Sequence, residues 1–570
     1  MTTSSPVGYF TFALHSHLPY VRRAGRWPHG EEMIHEALAE TYVPLLIALH
    51  DLAEQGLNPR LTVGLTPILL EQLADPDVLG SFEAYLEEEI ASATEDQSRY
   101  AVSAPELSRL AEYYLGFYGG ILSAFVGRFN RDVVGGFRRL REAGHLDILT
   151  SASTHPYLPL MHRDSTIAGH LRVGIESTTR HMGAKPDGVW LPECAYRPAY
   201  VTDDGSIYKP GIEEFLAEAG IRYFFTETHV VSGGTAVGKS AGDVVGPYGA
   251  PKRHLIRPIE PLPLDRQRTV LRPYYVQSAP VAVFARDPKT GLQVWSAEEG
   301  YPGDPVYREF HRKDPGSGLQ YWQVTGPKVD LGEKKLYEPE VAELRLRQHA
   351  AHFVQLVATT LKSYRATHGQ PGLIVSAYDT ELFGHWWFEG VSWLREVLRG
   401  LSEHPDIGLI TAREYLDLYP PNEALSIPES SWGAGGDHST WLNLETAWMW
   451  PLINATEERM ERLVERYPNA EGEMNDLLAQ IARELVLLQS SDWPFLVSTG
   501  QASEYALSRF QHHLARFNRL LMVAQTGQID DETRRFLKAC QVADNPFPTI
   551  DYRVFAAREG VFPVPARVNA

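Results

Sequence analysis

Four apolar runs in this chain end in side chains that can carry protons. FTFAL leads into His15 and His17, DILTSAS into His155, VWLP into Glu193, and LIVSAY into Asp379. One such histidine alone is most often a hydrogen-bonded structural residue, and one carboxylate after a strand usually caps a helix. Their joint occurrence at four strand ends points instead to a shared mouth. Glu193 stands in WLPECAYRP among apolar and rigid neighbours. Asp379 stands in SAYDTELFGHWWFEG, with His385, Trp386 and Trp387 close behind. Two carboxylates in different surroundings suit a division of labour, one ionised as nucleophile and the other protonated as acid. Aromatic walls stack on the apolar C–H faces of sugar rings while polar neighbours bind the hydroxyls, as glycoside chemistry needs. These residues alone do not decide which carboxylate attacks.

The elements that must carry them alternate along the chain. Strand-like runs fall at 8–17, 60–70, 145–156, 188–194, 222–229, 281–287, 372–384 and 407–416. Helical patterns lie between them at about 30–56, 165–183, 211–221, 338–368 and 390–403. Apolar strands alternating with amphipathic helices imply a parallel sheet covered by helices. That many strands within about 410 residues favour a closed or nearly closed barrel, with chemistry at the C-terminal strand ends. Residues 75–141 are helical and charge-rich, too long for a simple connection, and read as an insertion. Pro420–Pro421 mark a boundary. Beyond them, 452–488 and 503–540 read as helices. The expected organisation is a barrel over 1–74 and 142–420, an inserted helical domain over 75–141, and a C-terminal helical domain over 421–570.

Composition narrows the partners. The 570 residues are 44% hydrophobic and 22% charged, an ordinary globular balance. Lys+Arg 53 against Asp+Glu 72 gives a net charge of −19, which argues against nucleic acid or an anionic membrane surface and favours a neutral or small ligand. With only Cys194 and Cys540, a disulfide framework and a multi-cysteine zinc site are excluded. Neither a secretory signal nor a run of about 20 apolar residues is apparent, so the expected location is cytoplasmic.

The motifs HSHLPY (15–20), STHPYLP (153–159), WLPECAY (190–196) and YDTELFGHWWFEG (378–390) resemble those of glycoside hydrolase family 57. ESSWGAGGDHSTWLN (429–443) is similar to the fifth region of that family, in the form its α-1,4-glucan branching enzymes carry. The resemblance runs from about residue 8 to about 545. It implies an incomplete (β/α)7 barrel of α/β class with an inserted helical domain and a C-terminal all-helical domain. It also implies a retaining double displacement on α-glucan, without cofactor or metal, in which Glu193 is the nucleophile and Asp379 the proton donor. By the same resemblance His15, His17 and His155 line the sugar subsite. Further glucan contacts come from Arg286, Gly303, Asp492 and Gln501, the last two only if the C-terminal domain folds back over the mouth.

A transferase must also exclude water and hold its acceptor. The segment 232–254 is Gly-rich, and Tyr248 is its only aromatic residue, flanked by the possible hinges Gly246 and Gly249. Branching enzymes of the family are similar in having a catalytic-loop tyrosine, so Tyr248 is the expected lid residue. Trp295, Trp432 and Trp441 are candidates for an aromatic platform, with Trp27 and Trp493 behind them. Trp432, set among Gly and Asp, is expected to expose its ring. Cys194 lacks a Cys–His pairing pattern and reads as a packing residue. Two rival classes stay open. His15-Ser16-His17 at the end of a first strand, with Asp379, is also how metal-dependent deacetylase or amidohydrolase sites begin. A glucan-binding pseudoenzyme would have lost a catalytic carboxylate, and both are present. Within the family, α-amylase and 4-α-glucanotransferase are the close alternatives.

Overall fold

A computed structural model describes residues 6–26, 29–202, 207–236, 262–265, 267–295, 300–326 and 328–558. The fold is mixed α/β, mostly helical, with a helical domain at the C-terminal end. The strands that matter for the site are β1 (Gly8–Ser16), β2 (Leu61–Leu65), β3 (Leu146–Leu149), β4 (Gly188–Val189), β5 (Tyr223–Thr226), β6 (Ala279–Ala285) and β7 (Leu373–Asp379). They run parallel in the order β7-β1-β2-β3, and β3 continues to β4 through a Thr150–Val189 bridge. The order then proceeds β4-β5-β6. At the remaining seam, the Asp287 amide after β6 donates to the Val375 carbonyl of β7 at 2.9 Å. Ile407–Leu409 pairs with the start of β1.

Both faces of these strands are buried, which is why they read as near-continuous apolar runs. Side chains alternate between two cores. Phe10, Phe12 and Leu14 face outward to the helices, packing with Phe353 and Trp393. Ala13, Leu149, Trp190, Phe225, Phe284, Val375 and Ala377 face inward and form the interior cluster.

Several expected strands are shorter than their apolar runs. The run at 60–70 stops at Leu65 because Pro67 opens the helix Pro67–Leu73. The run at 188–194 is extended only at Gly188–Val189, after which Pro192–Cys194 forms a tight helical turn. The run at 407–416 gives a strand only over Ile407–Leu409, and Thr411 then caps the helix Ala412–Leu418. Apolar stretches of this length suit a buried helix as well as a strand.

The helical excursion after β2 is a long hairpin, α1 (Pro76–Tyr100) and α2 (Pro105–Ser123), followed by α3 (Val133–Glu142). The segment 300–326 packs on the hairpin, where Asp314 accepts from Arg99 and Tyr100, both at 2.6 Å. The C-terminal domain comprises α4 (Met449–Arg466), α5 (Gly472–Leu488), α6 (Asp492–Thr499), α7 (Ser503–Thr526) and α8 (Asp531–Ala543). The expected single helix over 452–488 is broken after Arg466, where Pro468 cannot continue it. Leu477, Ile481, Leu485, Phe517 and Leu520 form the domain core, which extends onto Tyr20, Ile68 and Val173 of the α/β part. No helix among the described residues is long and apolar enough to cross a membrane.

Candidate active site

The inward set of side chains continues past the apolar layer at one end of the strands. On β1 the alternation runs Ala13, His15; on β7 it runs Val375, Ala377, Asp379. On β5 it runs Tyr223, Phe225 and, one residue past the strand, Glu227; on β6 it runs Ala282, Phe284 and, just past the strand, Arg286. The period of two therefore aims His15, Glu227, Arg286 and Asp379 at one polar mouth. Register agrees: His15 and Asp379 are direct neighbours across the β1–β7 pair.

Three imidazoles stack there. His15 lies on Trp190 at 4.9 Å and its Nε2 meets His155 Nε2 at 3.1 Å. The rings of His17 and His155 stack at 3.9 Å. Burial holds both His15 and His155 well below the ordinary imidazole range, so one neutral ring donates to the other. His17 is held by Thr66 Oγ1 at 3.1 Å and by Asp492 at 3.0 Å. Asp492 is the first residue of α6, so the C-terminal domain does reach into the mouth. Its neighbour Ser491 reinforces the contact, donating its amide to the His155 carbonyl and meeting His155 Nδ1 at 3.0 Å.

Glu193 is carried on the turn after β4 with φ 59°, and Cys194 follows at φ 46°; His155 stands at φ 62°. Non-glycine residues rarely occupy this left-handed region, and three of them at one site mark backbone held in place by its surroundings. The turn is fixed by the Trp432 amide, which donates to the Glu193 carbonyl at 2.8 Å. Glu193 Oε1 lies 4.0 Å from His155 Nδ1 and 3.5 Å from Ser491 Oγ. The Cys194 thiol feels the charges of Glu227, Asp379 and Glu193, which raise its pKa, and of Arg286, which lowers it. Burial, then the carboxylates, push that thiol well above its ordinary range, leaving it an inert packing group.

Arg286 supplies the one guanidinium among these groups. It lies 4.7 Å from the Trp432 ring and 5.7 Å from Trp295, and pairs with Glu227 at 3.2 Å. None of its nitrogens has a hydrogen-bonding partner among the described residues. Asp379 is pushed up to about 7 by desolvation, against the pull of Arg286 and His17. It is thus poised to hold a proton near neutrality. Glu381, two residues on, is pushed up to about 8, mainly by burial, while it accepts hydrogen bonds from the Tyr42 hydroxyl and the His17 amide. The arrangement offers a proton-bearing carboxyl, a second carboxylate on a rigid turn, neutral imidazoles and aromatic walls. These are the parts of acid-assisted displacement at a sugar carbon.

Residues 11–428 match the sequence profile of glycosyl hydrolase family 57. The chain belongs to that family. Residues 452–555 match a second profile, the C-terminal region of 1,4-alpha-glucan branching enzymes. A 1,4-alpha-glucan branching enzyme of Thermococcus kodakarensis is 42% identical over 95% of this chain and 77% of its own length. A probable 1,4-alpha-glucan branching enzyme of Mycobacterium tuberculosis is 31% identical over 97% of this chain and 99% of its own. Among solved structures, a family 57 branching enzyme of Pyrococcus horikoshii superposes with a TM-score of 0.85 at 41% identity, covering 97% of both chains. The alpha-amylase AmyC of Thermotoga maritima gives 0.79 at 30% identity, covering 97% of this chain and 99% of that one.

Within this family 57 chain, the expected site residues fall into three groups. His15, His17, His155, Glu193, Arg286, Trp295, Trp432, Asp379 and Asp492 share the mouth. Trp441, Gly303 and Gln501 have no described contact with those side chains: Trp441 stacks on Tyr157 at 4.3 Å, and Gly303 closes the turn Tyr301–Gly303. Tyr248 and Trp27 lie outside the described residues. The expectation of an exposed Trp432 ring is corrected. Trp432 is buried under Arg286 and against Trp190, and Trp441 and Trp493 are buried as well. Sequence reasoning missed Glu227 and Glu381. Glu227 follows the run RYFFT just as Glu193 follows VWLP, and that signal could have found it. For a metal, the one set of three ligand atoms drawn together among the described residues is Glu484, His513 and Asp544 in the C-terminal domain, where Arg516 already pairs with Asp544.

Proposed function

We propose that this protein is a 1,4-alpha-glucan branching enzyme whose mouth cleaves an α-1,4 bond and rebuilds it as an α-1,6 branch. Glu193 attacks the anomeric carbon while Asp379 gives its proton to the departing glycosidic oxygen, leaving a covalent glycosyl ester on Glu193. Asp379, now ionised, takes the proton of an acceptor 6-hydroxyl, which displaces Glu193 and restores both groups. His15, His17 and His155 bind the sugar hydroxyls of the transferred unit, and Asp492 holds His17 toward it. Arg286, with its donors unspent, takes further hydroxyls between Trp295 and Trp432, while Trp441 supports the wall through Tyr157. Gly303 and Gln501 extend the glucan path, and Tyr248 serves as the lid that keeps water from the ester. No cofactor or metal takes part.

The strand order and the 2.9 Å amide at the β6–β7 seam support reading the α/β part as an incomplete (β/α)7 barrel over 1–74 and 142–420. On that reading 75–141 is its insertion and 421–570 the C-terminal domain. The partner is an α-glucan, and the location is cytoplasmic.

The observation that carries the chemistry is an Asp379 carboxyl held near pH 7 in the same mouth as Glu193. The branching outcome rests on similarity to branching enzymes across both parts of the chain. Likeness to the alpha-amylase AmyC favours hydrolysis as the second reading. Incubation with amylose, followed by isoamylase debranching and chain-length analysis, separates them. New chains released only by debranching are expected; shortened linear glucan alone would sink the branching assignment.

A further inference from the structure

Glu227 has no part in the steps above, yet it is built into the mouth as closely as the residues that do. It stands on the inward set of β5 beyond Phe225, is 5% exposed, and places Oε1 3.2 Å from Arg286 Nη1. We propose that Glu227 is a positioning residue, the buried counter-ion that holds the Arg286 guanidinium over Trp432 and Trp295 and keeps its positive charge from acting at full strength on Asp379.

Three observations carry this. Glu227 precedes the short helix Thr228–Ser232, but its side chain makes no capping hydrogen bond, so an ordinary capping role is absent. The pair is an ion pair without hydrogen-bond geometry: neither Glu227 Oε1 nor any Arg286 nitrogen has a hydrogen-bonding partner among the described residues. Buried guanidinium groups normally spend their donors on protein acceptors. Here Glu227 balances the charge while leaving those donors pointed elsewhere. Finally, Arg286 acts directly on Asp379, lowering the stability of its proton. An opposite charge within about 4–6 Å lowers a carboxyl by about 1–3 pKa units when nothing offsets it.

The charged and titratable groups around Asp379 come from every side of the mouth. They are Arg286 just after β6, Glu227 just after β5, Glu193 and Cys194 on the turn after β4, His15 on β1 with His17 just beyond it, and Glu381 with Tyr42 beside β7. Glu227 is the carboxylate in ion-pair contact with Arg286.

This inference rests on Asp379 as the proton donor, and the experiment separates the two. The kcat/KM of the full-length enzyme on amylose is measured against pH for the wild type, Glu227→Gln and Glu227→Asp. Glu227→Gln is expected to move the basic limb down by about one unit or more. Its loss at pH 7 should be much smaller on a maltooligosaccharyl fluoride, whose leaving group needs little protonation. Glu227→Asp keeps the charge and should return the limb toward the wild type. Arg286→Gln removes the cation and should move the limb up, which tests the proposal even if Glu227→Gln does not fold. An unmoved basic limb in Glu227→Gln or Arg286→Gln, or equal losses on both donors, overturns it. Full activity in Asp379→Asn would instead overturn the proton-donor reading.

Discussion

The mouth of the strands and the C-terminal helical domain both bury carboxyl groups beside guanidinium ions, and they do so in opposite ways. In the helical domain, Glu484 meets His513 Nδ1 at 2.9 Å and accepts from Gln480 at 2.8 Å. Arg483 gives its Nε to the Pro546 carbonyl at 2.6 Å and a second nitrogen to Phe547, and Arg516 pairs with Asp544. The residues involved lie mostly on regular helices. At the mouth, Arg286 has charge balance but no spent donors, and His155, Glu193 and Cys194 hold left-handed backbone. Donors spent on protein acceptors, as in Arg483, tie elements together, whereas a buried guanidinium with open donors can still take a ligand's acceptors. Burial alone therefore does not distinguish a reactive carboxyl from a structural one. The state of its neighbours' hydrogen bonds does.

Substitutions can break this contrast from either side. The largest effect is expected at the mouth. Glu193→Gln and Asp379→Asn should each reduce turnover of amylose by about 10³-fold or more while leaving the circular dichroism and oligomer profile unchanged. Near-normal turnover in either would erase the distinction. In the helical domain, Asp544→Ala strips Arg516 of its partner and should cost about 3 kcal/mol or more of stability in urea titration. The pH profile of kcat/KM on amylose, measured where the variant is folded, should stay where it was; a shifted profile would mean the two regions are not separable.

A finer effect concerns stability against pH. Asp379 is raised from an ordinary value near 4 to about 7, so the folded chain keeps a proton that the unfolded chain releases. The stability this contributes is complete below pH 4 and is lost as pH rises to 7. Asp379→Asn escapes that loss, and should be more stable than the wild type by about 2–4 kcal/mol at pH 8 but not at pH 4. Thermal melts at the two pH values decide it. The smallest effect is at Tyr248. Tyr248→Ala should raise hydrolysis relative to transfer without moving the melting temperature, and an unchanged product ratio would remove its lid role.

Much of the site is legible from period-two alternation, because a strand buried on both faces betrays its functional end only where the apolar run stops. His15, His155, Glu193 and Asp379 announce themselves that way. Glu227 gives the same signal after a shorter run, and Glu381 is hidden inside a motif whose first acid draws attention. Asp492 is legible only through the family resemblance, since nothing in SDWPF states that a helix starting there will meet His17. The burial of the Trp432 ring is not legible, because glycine-rich loops usually expose their aromatics and no sequence pattern reports a guanidinium laid across that ring from the end of a distant strand. Apolar runs outlast their strands where Pro67 and Pro192 open helical turns and where Thr411 caps a helix.

The hydrogen bond between His17 and Asp492 joins positions 475 apart in the chain. During synthesis, both carboxylates leave the ribosome well before the segment that completes their surroundings. A chain made only as far as Asp379 thus carries both carboxylates without the Asp492 contact that holds His17, so that part of the mouth is completed only when the C-terminal helices have been made.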